Sequence, residues 1–364
     1  MARVLTIFVD RSTFSCIDLQ KFSAEPGRAT IDDVARAAGV SRAAVSKVLR
    51  DAYGVSDAMR ERVNRAIAEL DYRPRVAARA MRGSALTVGV VIPHFGSYFI
   101  SDVLEGVAAH LRETPYQMIL APADDEYRAG YRAVEALYDR QVDGIVVIAP
   151  LERPDWLEAV ARRIPLVQLG RHDQSQRYDT IVGDDAAGSR LVMAHLLERG
   201  HQRITHLTHL DRGVPRSTLT PQATRSSVYQ QTMRQAGLSR HIRVIAARFE
   251  EEPARRAMGA ALDRAEPPTA VFAGNDDAAL GVLRALAERG LTTEDIAVTG
   301  YDDARLADHP GINLTSVNQN GHEMGRRSAA LLVERIGGRR DAVHETHEPR
   351  LIVRGSSTRA DQRR

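Results

Sequence analysis

Basic side chains are concentrated in one short segment near the N-terminus of this 364-residue chain. Residues 28–83 hold twelve arginines and lysines against seven acidic residues, whereas the formal net charge of the whole chain is only +3. The body that follows is therefore slightly acidic. A local positive balance of this kind is typical of a module that binds a polyanion. The charge distribution predicts a nucleic-acid-binding module joined to a body with a different task.

The same segment carries the patterns of three short helices. Thr30, Ser41 and Ser56 each precede an apolar face of helical period and are residue types preferred at N-caps. Asp33, three residues after Thr30, completes a capping-box pattern with Asp in place of Glu. Gly39 breaks the first helix just before the second begins. Two short helices joined by a tight glycine turn and followed by a third predict a helix-turn-helix bundle.

A fourth short helix is expected after the bundle. Pro74 suits the first turn of a helix over residues 75–82. Because a helix of this length is unstable alone in water, we expect residues 74–84 to form a hinge that orders only when a partner holds it. Residues 1–28 show no sustained periodicity and are predicted to be a flexible N-terminal extension.

Apolar runs alternate with amphipathic helices from Leu86 onward. The strand candidates are 87–92, 117–121, 144–148, 166–169, 180–182, 204–207, 244–247, 270–273, 297–299 and 314–317. Helix candidates between them include 101–112, 128–140, 186–199 and 276–289. This alternation predicts parallel sheets with helices on both faces. Because the region is long for a single sheet, we expect two stacked α/β subdomains with a cleft between them.

Several other classes of protein are disfavoured by composition and motif. Cys16 is the only cysteine, so no internal disulfide and no cysteine-based zinc site is possible. No stretch approaches the roughly 20 apolar residues of a membrane span, and the apolar patch at 5–9 is too short for a signal peptide. We therefore expect a cytoplasmic protein. His201, His206 and His209 lie along one strand and its entry, so no metal is predicted, and no P-loop, nucleophile elbow or dinucleotide fingerprint indicates an enzyme or a cofactor.

Eight segments carry a likeness to a known family. In chain order they are ATIDDVARAAGVSRAAVSKVLR, VSDAMRERVNRAIAELDYRPRVAARAMR, VGVVIP, QVDGIVVI, HLLERGHQRITHL, PTAVFAGNDDAALG, VTGYDD and LTSVNQ. Together they resemble the lactose/galactose-repressor (LacI/GalR) family of bacterial transcription regulators, from Thr30 to about Arg354. The resemblance implies a small all-α helix-turn-helix headpiece at 29–73 and the hinge at 74–84. It also implies a periplasmic-binding-protein-like α/β core of two doubly wound lobes at 85–358, joined by three crossovers, and a polar tail at 359–364.

By this resemblance, the second helix of the headpiece enters the major groove. Arg42, Ala43 and Lys47 fall on the family's base-reading positions, with Ser46 on the same outward face. Arginine and lysine suit guanine O6 and N7, whereas Ala43 suits a thymine methyl group. Arg50 stands where the family usually has Asn, so its contact differs from the family pattern.

Phosphate and minor-groove contacts complete the expected DNA interface. Thr30 and Ser41, at helix N-termini, suit phosphate contacts that set the register. In the family, a hinge leucine wedges between the central base pairs. Met81 occupies that place here and is followed by Arg82, and methionine is able to act as an apolar wedge.

The resemblance also places an effector site in the cleft, where loops follow the carboxyl ends of strands. The residues expected there are Tyr98, Phe99, Asp184, Arg225, Phe249, Asn275 and Asp302. Arg225 and Asp302 are expected to hold hydroxyl or carboxylate groups through charge-assisted hydrogen bonds. Phe99 and Phe249 suit stacking on a sugar or a base. Gly170 stands where many relatives carry Asp, which removes a possible hydroxyl ligand.

These features together predict a sequence-specific repressor that binds a pseudo-palindromic operator as a homodimer. A small molecule in the cleft, a sugar in the first interpretation, is expected to change the spacing of the lobes and with it the ordering of the hinge. One alternative is a regulator that depends on a purine corepressor. Another is a solute-binding module without DNA function, against which the headpiece and the missing export signal argue. The tail after Ile352 shows no heptad repeat, so no tetramerising helix is expected.

Overall fold

The computed structural model divides the chain into an N-terminal unit and a larger unit that begins at Gly83. The residues it describes are 29–49, 52–72, 85–123, 129–209 and 220–358. Predictions that lie outside the described residues concern the extension at 1–28, Arg50, the hinge at 74–84 with Met81 and Arg82, and the tail at 359–364.

The described residues of the N-terminal unit form a bundle of three helices. They are α1 (Ile31–Ala38), α2 (Arg42–Leu49) and α3 (Asp57–Glu69). Val34, Val45 and Val63, one from each helix, are completely buried against one another. The helical periodicity of the sequence therefore predicted all three helices correctly, because the apolar residue of each turn faces the same small core.

The ends of these helices follow the predicted capping residues. Thr30 accepts a hydrogen bond from the Asp33 backbone at 3.3 Å, and its own N–H donates to the Asp33 carboxylate at 2.9 Å, which completes the capping box. Ser56 caps α3 in the same way. Gly39 has a φ of 63°, a conformation that glycine adopts without strain and that turns the chain into α2.

The larger unit contains two six-stranded sheets. The strands of the first are β1 (Thr87–Ile92), β2 (Gln117–Pro122), β3 (Gly144–Ile148), β4 (Leu166–Leu169), β5 (Asp179–Gly183) and β11 (His344–His347). Their order is β11-β5-β4-β3-β1-β2, and every pair is parallel. The sheet packs with helices α4 (Tyr98–Leu111), α5 (Ala129–Asp139), α6 (Pro154–Ala161) and α11 (Gly321–Ile336). We call this half lobe 1.

Lobe 2 repeats the same plan. Its strands are β6 (Ile204–Thr208), β7 (Arg243–Ala246), β8 (Ala270–Ala273), β9 (Ala297–Asp302), β10 (Thr315–Asn318) and β12 (Arg350–Ile352). The order is β12-β10-β9-β8-β6-β7, with only β12 antiparallel to its neighbour among these strands. Its helices are α7 (Asp185–Glu198), α8 (Pro221–Gln235), α9 (Glu251–Leu262) and α10 (Asp276–Ala287). Both lobes are doubly wound, as expected.

Three segments carry the chain between the lobes within the described residues. They lie between β5 and α7, between β10 and α11, and between β11 and β12. The ten predicted strands all form; four have the predicted ends, and the ends of the other six shift by one to three residues. Strands β11 and β12 were missed because His344–His347 is entirely polar and both strands lie at sheet edges, where no apolar run is required.

Lobe 1 depends on a close approach between α4 and α11. A Cβ atom at Gly106 would lie 1.9 Å from the carbonyl oxygen of His322, and one at Gly325 would lie 1.9 Å from that of Val103. Both obstructing atoms belong to helix backbones, which cannot move aside as a flexible side chain can. The two glycines therefore set the distance between the helices.

Replacing Gly325 tests this packing. We expect Gly325→Ala to lower the free energy of unfolding by at least about 2 kcal/mol, because the helices must separate to accept the methyl group. Gly337→Ala, at the end of the same helix, is the matched control, since a Cβ there meets its nearest atoms at 3.4 Å. Urea denaturation monitored by circular dichroism measures both. Equal stability of the two variants would contradict the packing assignment.

Candidate functional site

The outward face of α2 presents the predicted base-reading residues. Val45 is fully buried and holds the helix against the bundle. On the other side Arg42, Ala43 and Lys47 are exposed, and Ser46 is half-buried. Two cations flanking a small side chain on the first two turns of a helix suit insertion into a major groove by the helix N-terminus.

Thr30 and Ser41 were predicted to contact phosphates. Their hydroxyl groups differ in whether a hydrogen is available to donate. Thr30 uses its hydroxyl hydrogen in a bond to the Asp33 carboxylate at 2.7 Å. Hydrogen bonds from Thr30 also lower the pKa of Asp33. Ser41 accepts from the Ala44 backbone at 3.1 Å, which leaves its hydroxyl hydrogen available. The hydroxyl group of Ser41 is therefore better able to donate to a ligand than that of Thr30.

An acidic neighbour lies beside the first of the exposed cations. A guanidinium nitrogen of Arg42 is 3.7 Å from a carboxylate oxygen of Asp32, and both side chains are more than half exposed. An exposed ion pair of this length contributes little free energy. Arg42 therefore remains available to a negatively charged partner.

The cleft of the larger unit contains a cavity of about 120 Å³ that opens to solvent. Its concave shape and its apolar lining with a few polar groups suit a small-molecule ligand. Five of the seven predicted effector residues line it: Phe99, Arg225, Phe249, Asn275 and Asp302. Phe99 comes from lobe 1 and the other four from lobe 2. They meet because the carboxyl ends of the parallel strands in both lobes face the cleft.

Arg225 is the central cation of this cavity. Its Nε donates to the Asp185 carboxylate at 2.7 Å and its Nη1 to the Gly274 carbonyl at 2.6 Å. The guanidinium carbon lies 3.5 Å from the centre of the Tyr301 ring, a cation–π contact. Burial opposes its charge, but Asp185 and other acidic neighbours raise the pKa of Arg225. The guanidinium is thus charged and held in one orientation.

Asp302 supplies the main carboxyl group. It ends β9 with a φ of 115°, a backbone conformation that L residues rarely adopt. Gln319 donates to its Oδ1 at 2.6 Å. Burial raises the pKa of Asp302 well above its usual range, although Arg225 opposes the shift. Strain and an elevated pKa at one cleft residue are typical of a functional site.

Asn275 and Phe249 occupy positions that the local backbone dictates. Asn275 caps α10, since its side-chain oxygen accepts from the Ala278 backbone at 2.9 Å. Phe249 lies against Gly274, where a Cβ atom would come within 2.6 Å of the ring. Both residues face the cavity, but part of the polar capacity of Asn275 is already used for capping.

Two predicted effector residues do not line this cavity. Tyr98 begins α4 with 43% of its surface exposed, and Phe99 takes the inward position. Asp184 caps α7 by accepting from the Ala187 backbone at 2.8 Å. Its neighbour Asp185 lines the cavity instead. The pair of aspartates after β5 was visible in the sequence, but the helix start decides which of them points into the cleft.

Sequence reasoning also missed other lining residues. These are chiefly His94, Gln222 and Gln319, together with backbone at Gly170 and Gly183. Gly170 has a φ of 92°, which favours glycine, so main chain forms this part of the wall. The amide side chains of Gln222 and Gln319 carry no distinctive sequence signal, because glutamines are common on any protein surface.

A second cavity adjoins the first. It shares Pro93, His94, Gln222 and Phe249 with the first cavity and is also lined by Glu152. Glu152 is buried, with 3% of its surface exposed, and this burial raises the pKa of its carboxyl group. The two adjoining cavities therefore have a mainly apolar lining with a few polar groups, and Arg225 is the only arginine among the described residues that line them.

Contacts between the lobes border the cleft. Asp277, on α10, accepts hydrogen bonds from the Ser97 side chain and the Tyr98 backbone of lobe 1, and burial raises its pKa to about 6. On the surface, Arg305 of lobe 2 pairs with Glu105 of α4. The buried Asp277 contacts contribute to the spacing of the lobes, whereas the exposed Arg305–Glu105 pair contributes little free energy.

Of the three histidines singled out in the sequence, His201 and His206 are buried, whereas His209 lines the second cavity. His206 is completely buried between Tyr229 and Phe272 and bonds to the Phe272 carbonyl at 2.9 Å. Burial lowers its pKa to about 4. Across the described ranges, no group of three or more His, Cys, Asp and Glu side chains is arranged to hold a metal ion. None of the helices in those ranges is long and apolar enough to cross a bilayer.

Family profiles match both units of the chain. The profile described as bacterial regulatory proteins, lacI family, matches residues 30–75. The profile of the periplasmic binding protein-like domain matches residues 193–357. These matches correspond to the helix-turn-helix bundle and to lobe 2 with the last crossovers.

Similar proteins extend the match over nearly the whole length. The HTH-type transcriptional repressor PurR of Vibrio atlanticus is 33% identical over 338 residues, which is 90% of this chain and 98% of that protein. The ribose operon repressor of Escherichia coli is 32% identical over 85% of this chain and 93% of that protein. The lac repressor dimer bound to operator and the anti-inducer ONPF is 27% identical, with a TM-score of 0.76 and coverage of 91% and 99%.

A helix-turn-helix headpiece joined in sequence to a two-lobed α/β core with a cleft between its lobes defines a DNA-binding transcription regulator under small-molecule control. The chain belongs to the lacI family of bacterial regulatory proteins. That family consists of transcription regulators, so the resemblance noted in the sequence is confirmed.

A buried carboxyl group in lobe 2, that of Asp276, is expected to make the stability of the fold depend on pH. Asp276 accepts from the Ala304 backbone at 2.8 Å and from Ser316 at 2.6 Å, and burial raises its pKa to about 7. A carboxyl whose pKa is higher in the folded state stabilises the fold below the unfolded pKa of about 3.9, and this contribution is lost as the pH rises towards 7. His195 and His206, with lowered pKa values, act with the opposite sign.

The variant Asp276→Asn isolates this effect. We expect wild type to exceed the variant in unfolding free energy by more at about pH 5 than at about pH 8, because only wild type loses the proton-linked contribution. Asp263→Asn is the control, since Asp263 is exposed and its pKa is lowered by Arg289. Denaturant titrations at both pH values measure the difference. A pH-independent gap between wild type and Asp276→Asn would refute the assignment.

Proposed function

We propose that this chain is a repressor that binds a pseudo-palindromic operator as a homodimer and that an uncharged sugar in the interlobe cleft controls its operator affinity. The observation that carries the effector part is the convergence of Arg225, Asp302, Phe99 and Phe249 on one cavity. Donors and acceptors beside aromatic faces are what a sugar ring with hydroxyl groups on its rim requires.

The charges around this cavity favour an uncharged effector. Asp185 balances the charge of Arg225 within the buried pair. The raised pKa of Asp302 favours its neutral acid, which both donates and accepts hydrogen bonds. A phosphate or carboxylate would add an unbalanced negative charge beside Asp185 and Glu152. Hydroxyl groups meet the available donors and acceptors without that cost.

A purine corepressor is the second candidate. It is favoured by the similarity to the PurR repressors, of which the Vibrio atlanticus protein is 33% identical. Phe99 and Phe249, from opposite lobes, also suit stacking on a flat base. The transcriptional regulator CelR, in its complex with cellobiose, is 32% identical to this chain with a TM-score of 0.64. This similarity supports the sugar interpretation to a similar degree.

The DNA-binding part of the proposal rests on α2. We infer that Arg42 and Lys47 read guanines, that Ala43 and Ser46 face neighbouring bases, and that Ser41 donates to a phosphate. Arg50, Met81 and Arg82 remain predicted contacts of the headpiece end and hinge. Since such a regulator works on DNA and the family contains regulators rather than enzymes, we also infer a cytoplasmic, non-enzymatic role.

Base reading by α2 is tested with substitutions of equal charge. After selection of a binding site from random DNA, we expect Arg42→Ala and Lys47→Ala each to weaken binding at least about tenfold and to relax sequence preference at one position, because a bidentate guanine contact is lost. Arg65→Ala, which removes an exposed arginine from α3, is the control. Fluorescence anisotropy at one salt concentration measures all three. Equal losses in the three variants would show that only net charge matters.

Effector recognition is tested by a thermal-shift screen of sugars, sugar phosphates and nucleobases. We expect an uncharged sugar to raise the melting temperature of wild type and Arg225→Ala to lose at least about tenfold in affinity, because the charge-assisted bond disappears. Tyr98→Ala, outside the cavity, is the control. A hit whose affinity survives Arg225→Ala unchanged would overturn the cleft assignment, and a nucleobase hit would select the purine alternative.

A further inference from the structure

Asp185 holds two partners that belong to different lobes. Its Oδ1 accepts from Nε of Arg225 at 2.7 Å, and its Oδ2 lies 2.7 Å from Nε2 of His172. Arg225 is on α8 of lobe 2, whereas His172 follows β4 of lobe 1. Asp185 itself is the first residue of α7, directly after the first crossover. One carboxylate therefore links the effector-facing arginine to the opposite lobe.

The link is buried and charged. The side chains of Arg225 and Asp185 are 6% and 2% exposed, and that of His172 is 23% exposed. Burial favours the neutral acid, but Arg225 and His172 together hold the pKa of Asp185 below its usual value. Hydrogen bonds to a buried ion depend strongly on geometry, because a lost partner leaves charge uncompensated. A small displacement of His172 therefore changes the hydrogen-bond geometry of the Asp185 carboxylate.

Among these contacts of Arg225, the one with Asp185 is the contact that a change in lobe spacing is able to alter. The Gly274 carbonyl, just after β8, and the Tyr301 ring, on β9, both belong to lobe 2, as Arg225 itself does. Only the carboxylate has a second bond that leads into lobe 1. A change in lobe spacing must therefore stretch the bond to His172, rotate the carboxylate, or both.

We propose that Asp185 is a positioning residue that orients Arg225 for the effector and, through His172, makes that orientation depend on the spacing of the lobes. The inference rests on the proposed effector site and names how that site is regulated. By thermodynamic reciprocity, a group that makes effector affinity depend on lobe spacing also makes lobe spacing depend on the effector. The three side chains form the physical connection between the two events.

The first experiment needs no effector. Spin labels at Glu135→Cys on α5 and Gln231→Cys on α8, both exposed sites, report the distance between the lobes in a Cys16→Ser background. Labelled chains are diluted with unlabelled ones so that only distances within a chain contribute. We expect His172→Ala to broaden or shift the distance distribution and His172→Gln, which restores a donor to Asp185, to return it to that of wild type.

A matched control separates this link from any contact between the lobes. Arg305→Ala removes the exposed pair with Glu105, which contributes little free energy, so we expect the distance distribution to stay as in wild type. Distributions that are identical in wild type and His172→Ala would overturn the inference. The inference would also be overturned if His172→Ala changed the distance distribution and His172→Gln did not restore it. That result would show that His172 acts through its packing and not through the hydrogen bond that it donates to Asp185.

The second experiment measures binding of D-ribose, cellobiose and hypoxanthine by calorimetry. For any compound that binds wild type, we expect Asp185→Asn and His172→Ala to weaken binding at least about tenfold, and His172→Gln to recover most of the loss. Sensitivity to Arg225→Ala without sensitivity to either His172→Ala or Asp185→Asn would refute the inference and leave the proposed function intact. If none of the three compounds binds, the proposed function is weakened, and the distance measurement alone decides the inference.

Discussion

Parallel strands impose the constraint from which the cleft follows. In a parallel sheet every strand ends at the same edge, and the helices that come next begin there with unpaired N–H groups. Each lobe has such an edge, and the cavity is lined by residues just beyond β1, β3 and β4 in one lobe and β8 and β9 in the other. Polar side chains that cap helices, such as Asn275, are therefore brought together with the apolar ends of strands.

Charge balance then determines what this edge is able to recognise. A buried arginine needs a compensating partner, and Asp185 provides it at 2.7 Å. Once that pair is formed, the cavity has little net charge to offer an anion. Asp302, whose raised pKa favours the neutral acid, adds a donor and an acceptor. Recognition in such a site depends on directed hydrogen bonds and on aromatic faces rather than on attraction between opposite charges.

In the headpiece, a few residues determine the structure. Three valines form its centre, and two capping hydroxyls define where α1 and α2 begin. Val45 and Val48 bury one side of α2, so Arg42 and Lys47 on the other side reach solvent on such a short helix. A small module of this kind has affinity for DNA largely through charge, and its sequence preference depends on a few side chains whose positions the caps determine.

The amino-acid sequence by itself determined the local structure and the kind of protein. Capping residues, helical periodicity and buried apolar strands are short-range signals, so the three headpiece helices and ten strands were predictable. Five residues of the cavity were expected from the family resemblance. Only the tertiary structure decided between Asp184 and Asp185, because the start of α7 sets which carboxylate points inward. It also decided the pairing of Asp185 with His172 and Arg225, and the place of the polar edge strand β11. These depend on contacts between residues far apart in the chain, which no local pattern encodes.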